Sequence, residues 1–119
     1  MSNSTLHAIA VTELKDTRPA FYREYTELVR QISEHLCNLE QKHEKALSFT
    51  SFTEAYDYLS NKPFLQIVIG VNQKILHLPI YIHKDQHFVI GKSGIDKVAR
   101  TAKQALDLVV QKLNEMGDW

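Results

Sequence analysis

The sequence predicts a single α+β domain, ordered (β)-α-α-β-β-β-α: a long and a short helix, a three-stranded antiparallel β-meander, and a C-terminal helix packed on one sheet face. Three observations predict it. Apolar and aromatic residues repeat at heptad spacing from Tyr22 to Ala46. The period falls to two between Leu65 and Ile90, as in strands buried on one face. Helical spacing then returns from Ile95 to Met116.

Residues 1–5 are small and polar and are expected to fray. Leu6 to Val11 reads as a short strand or extended arm. Asp16-Thr17-Arg18-Pro19 is a helix-start signal, because Asp or Thr accepts from unpaired amides and Pro fits the first turn. A long helix follows over 18–46, with a seam of Tyr22, Tyr25, Val29, Ile32, Leu36 and Leu39 that His43 and Ala46 continue. At 1.5 Å per residue it is roughly 40 Å long. A domain of this size has a radius of gyration near ~13–14 Å. The far half of the helix is therefore expected to seek cover outside its own domain, in a second copy of the chain.

Ser51-Phe52-Thr53-Glu54 has the form of a capping box, which predicts a short helix over 52–60 ended by Asn61-Lys62-Pro63. The meander spans 64–91. Its core face is Leu65, Ile67, Ile69, Leu76, Leu78, Ile80, Ile82, Phe88 and Ile90. Pro79 lacks a ladder donor, so its strand is expected at an edge or with a bulge there. Ser93-Gly94-Ile95-Asp96 opens the last helix, 94–116, which packs Ala99, Ala102, Leu106 and Val109 on the sheet and stops at Gly117. The whole of 1–119 reads as one domain.

Lys+Arg 14 balances Asp+Glu 14, and 44% of residues are hydrophobic. That balance excludes a globally basic nucleic-acid binder and a disordered chain. Cys37 is the single cysteine, so no intrachain disulfide can form and a reducing compartment is expected. The N-terminus lacks a signal-peptide pattern, and the apolar run 64–71 is far short of the ~20 residues of a membrane span. The expected location is the cytoplasm, with no membrane association.

The chemistry is sparse. Gly91-Lys92-Ser93 resembles the end of a phosphate-binding loop, but Gln86 stands where that motif needs its first glycine. His77 and His83 are too far apart on one strand to chelate together. His83 with His87, across a turn that carries Asp85, could chelate, but no third ligand is evident, so solvated surface histidines and no metal are expected. Cys37 has no basic neighbour at helical spacing to activate it. No catalytic motif occurs, and neither an enzyme nor a cofactor is expected.

The function expected is a non-catalytic protein–protein interaction module acting by binding or occlusion. Its surface would be Val29, Ile32, Leu36, Leu39, His43 and Trp119, and its partners a protein and a second copy of itself. The alternative is a nucleic-acid-binding module. Lys97, Arg100 and Lys103 follow at steps of three near Lys92 and would form a basic, phosphate-contacting stripe on the last helix. The α-β-β-β-α order and the run Gly91-Lys92-Ser93-Gly94-Ile95-Asp96-Lys97-Val98-Ala99-Arg100 resemble a double-stranded-RNA-binding domain over about residues 52–116. Gly91, Lys97, Ala99 and Arg100 fit that family's pattern; Ser93, Ile95 and Asp96 depart from it. The resemblance implies phosphate contacts at the start of the last helix.

Overall fold

A computed structural model describes residues 3–91 and 97–117. Its elements are α1 (Asn3–Thr17), α2 (Pro19–Lys42), β1 (Leu47–Asp57), β2 (Lys62–Val71), β3 (Lys74–His83), β4 (His87–Ile90), β5 (Lys97–Ala99) and α3 (Ala102–Gly117). The strands form one antiparallel sheet in the order β1-β2-β3-β4-β5, and the helices cover one of its faces. The class is α+β, with the C-terminal helix against the sheet.

The N-terminal segment is a helix, not a frayed end and a strand. His7, Val11 and Leu14 recur at steps of four and three and are its buried residues. The inward position in its first half is a histidine, which conceals the stripe. Pro19 sets the junction with α2, because a proline disfavours helical geometry at the residue before it, and Arg18 is non-helical at φ −140° and ψ 63°.

α2 is the long helix, ending at Lys42 rather than at residue 46. Its buried residues are Phe21, Tyr25, Leu28, Ile32, Leu36 and Leu39, with Tyr22 and Val29 partly buried beside them. The helix folds back onto its own domain. Phe21 meets Phe88 of β4 at a ring-centroid distance of 4.8 Å, and α3 packs along α2. The far half, expected to lack a partner within the chain, has one. The longest dimension of the molecule, 43 Å, accommodates the helix.

Residues 52–60 do not form a helix. Phe52 to Asp57 belong to β1, which pairs with β2 from Leu47↔Val71 to Asp57↔Lys62, with a bulge between Leu47 and Phe49. Phe and Thr, which suit a pleated surface, make up four of the five residues from Phe49 to Thr53, and the ladder offered by β2 outweighs the local capping signal.

The meander stands as read. Leu65, Ile67, Ile69, Leu78, Ile80, Ile82, Phe88 and Ile90 are all buried, and Leu76 is partly buried. Pro79 lies in an interior strand, opposite Gln66 of β2 and just beyond the last β4 partner, Ile80↔Ile90. Its carbonyl accepts from the Gly91 amide at 3.0 Å. Amide and carbonyl of one strand residue point to the same side, so the missing N–H falls where the β4 ladder has ended.

The last helix starts at Ala102, not at residue 94, because Lys97–Ala99 pair with β4 as β5. Thr101 supplies the cap: its hydroxyl accepts from the Gln104 amide at 3.2 Å. Ala102, Ala105, Val109 and Leu113 are its buried apolar side chains. The capping box expected at Ser93–Asp96 lies outside the described residues.

Candidate functional site

The sheet face turned away from the helices is built from cross-strand rows fixed by the register. At one end Asp57 pairs with Lys62, and His83 with His87. Next comes the row Ala55, Phe64, Tyr81, Val89 and Val98. Thr53, Gln66 and Pro79 follow, then Ser51, Val68 and His77, and finally Phe49, Gly70 and Ile75. The Phe64 and Tyr81 rings lie 5.1 Å apart, and Gln66 and His77 share a hydrogen bond of 3.1 Å. Phe49, Ile75 and Val98 are 42%, 62% and 58% exposed. At Gly70 the face is closely stacked: a Cβ there would collide with the Ser48 hydroxyl and with the Phe49 ring, 2.5 Å away.

The β1–β2 and β3–β4 turns project from the same end of this face. The β3–β4 turn is closed by the Gln86 amide donating to the His83 carbonyl at 3.1 Å, with Gln86 at φ 69°. His83 and His87 are directly opposite, with rings stacked 4.3 Å apart. Asp85 reaches back so that its Oδ1 lies 2.8 Å from His87 Nδ1. One ligating atom from each of His83, Asp85 and His87 lies within 4.8 Å of the other two. Burial, then Lys62 and His87, hold the His83 pKa below the usual imidazole value, against the opposing pull of Asp85. A cleft of about 360 Å³ adjoins the hairpin, lined by Asp57, Ser60, Lys62, Tyr81, His83, Val89 and Gly91. The Ser60 side chain, and then the Leu59 amide at 2.9 Å, hold the Asp57 pKa below the usual carboxylate value.

The residues expected to carry function are dispersed. Ile32, Leu36 and Leu39 are buried in the core, Val29 is half-buried, and His43 caps α2. His43 lines a cleft of about 630 Å³ between α2 and α3 with His35, Asn38, Leu39, Lys42, Val110 and Asn114. Lys97 is on β5, Arg100 in a bend and Lys103 on α3, so they do not form one helical stripe. Lys92 and Trp119 lie outside the described residues. The third group beside His83 and His87 is Asp85, legible as His-x-Asp-x-His across a three-residue turn. Among the described residues, no helix is long and apolar enough to cross a membrane. No protein-family model, curated protein or solved structure matches the chain.

Proposed function

We propose that the chain is a non-catalytic protein–protein interaction module whose contact surface is the open face of the sheet, and that the occupant of this face is a second copy of the chain. The observation that carries this reading is the grouping of exposed Phe49, Ile75 and Val98 with half-buried Phe64, Val68, Tyr81 and Val89 on one face over which no described element packs. A face this rich in exposed apolar side chains is of the kind that marks contact sites. The charge pattern favours self-association. The fixed charges in the rows are Asp57 and Lys62, opposite in sign and paired at one end, and the chain has zero net charge. A two-fold contact therefore brings no uncompensated charge into its centre. Two such faces stack as in a β-sandwich, about 10 Å apart. The long-helix seam, buried inside its own chain, is not available for the same role.

Sedimentation velocity at tens of micromolar tests the reading. The expected result is a dimer that the double variant Ile75→Glu/Val98→Glu converts to monomer with an unchanged circular-dichroism spectrum. A wild-type chain that stays at 13.7 kDa over that range, or a dimer indifferent to both substitutions, overturns it.

A further inference from the structure

We propose that the β3–β4 hairpin is a binding site for one divalent transition-metal ion, held by His83, Asp85 and His87 with one coordination position left open. The hairpin register places His83 and His87 opposite each other on the same face, so two imidazoles meet without any long-range folding requirement. The turn between them is three residues long, and its middle residue is the carboxylate that approaches His87. The next residue, Gln86, takes the left-handed backbone that closes so short a turn. Lys84, the cation within the turn, lies 3.9 Å from Glu13 of α1, and Lys62 of β2 is the cation that shares a cleft with His83.

The donor set decides the class of ion. Two imidazole nitrogens and one carboxylate oxygen suit Zn²⁺ and its neighbours, whereas Mg²⁺ and Ca²⁺ take oxygen ligands. Tetrahedral zinc, with ligands at about 2.0–2.2 Å, sets donor atoms about 3.3 Å apart. The donor atoms, now within 4.8 Å of one another, must draw together to that spacing when the ion binds, which rotation of the imidazole and carboxylate side chains serves. Binding replaces the hydrogen bond between Asp85 and His87 with metal bonds. Three protein ligands leave a fourth position for water or for a group from a binding partner. The site does not depend on the self-association proposed above, and its test reads a different quantity.

Titration of the full-length chain with Zn²⁺ against a chromogenic chelator, with Co²⁺ as a visible-absorption probe of ligand geometry, tests the site. The expected result is one equivalent bound per chain and a tetrahedral Co²⁺ spectrum. His83→Ala, His87→Ala and Asp85→Ala should each weaken binding at least about tenfold, while His77→Ala and His43→Ala leave it unchanged. The turn is at the surface, so these variants keep the wild-type circular-dichroism spectrum, and His83→Gln and His87→Gln repeat the test with polar side chains of similar size. Absence of zinc binding by the wild type, or binding indifferent to the three ligand substitutions, overturns the proposal.

Discussion

The Tyr25 hydroxyl and the Nε2 atom of His7 share a hydrogen bond of 2.8 Å in the core, where the histidine is fully buried. The other ring nitrogen, Nδ1, lies 2.9 Å from the Ala55 carbonyl. A carbonyl only accepts, so Nδ1 donates to it, and Nε2 shares the second bond with the Tyr25 hydroxyl. Three elements, α1, α2 and β1, are thereby tied through one imidazole. Burial, reinforced by the nearby Glu54, pushes the Tyr25 pKa up and keeps its proton in place. Tyr25→Phe leaves Nε2 without its hydroxyl partner and should destabilise the fold by about 1–3 kcal/mol in urea denaturation. A smaller loss would show that another group takes over the bond.

Ile67 and Ile80 are fully buried on the helix-facing side of adjacent strands. Truncation of either to Ala loses transfer free energy and leaves a cavity, a cost of about 2–5 kcal/mol. Chemical denaturation checks this. Val68→Ala, on the open face beside Ile67, should cost distinctly less, and equal costs at the two positions would contradict the register.

Phe49 lies over Gly70 on the open face. Gly70→Ala displaces that ring and should cost about 1–3 kcal/mol. Once Phe49 is already Ala, the same substitution should cost less, with the Ser48 hydroxyl the obstacle that remains. A double-mutant cycle in thermal or urea unfolding reads the coupling, and simple additivity would rule out the ring stacking.

Partial burial on α2 lowers the pKa of His35, and its Nε2 meets no hydrogen-bond partner among the described residues. The unfolded chain then takes up the proton more readily than the native one. The His35 contribution to stability is complete above the unfolded-state pKa of about 6.5 and is lost as pH falls from there through the lower native value. His35→Gln should flatten the fall in stability between neutral and mildly acidic pH. Melting temperatures over that range measure it, and an unchanged slope would assign the acid sensitivity to other groups.

Legibility followed burial. Period-two alternation located β2, β3 and β4 with the correct inward face, because one side of each strand is wholly apolar. The long helix was legible for the same reason, and its seam was right at Tyr25, Ile32, Leu36 and Leu39. What covers that seam depends on α3 and the sheet, which spacing alone does not reveal. β1 was hidden because Ser51 and Glu54 mimic a helix cap, while the ladder that decides their conformation comes from residues later in the chain. β5 was hidden by its length, since three residues between a turn and a helix cap carry no period. In the candidate site, His83 and His87 were visible as a pair. Asp85 was visible between them as His-x-Asp-x-His, but it counted as a third ligand only once the turn geometry brought its carboxylate back to His87.

Because every strand pairs with its neighbour in sequence, the sheet can assemble by local steps, but the helical layer cannot. The apolar stripe of α2 is complete at Leu39, before any strand has begun, and α3, which packs against it, comes after the last strand. During synthesis at about 5–20 residues per second, that stripe leaves the ribosome on the order of seconds before its cover exists. For that interval it is an amphipathic helix open to anything that binds one, so the growing chain depends on protected emergence more than the finished fold does.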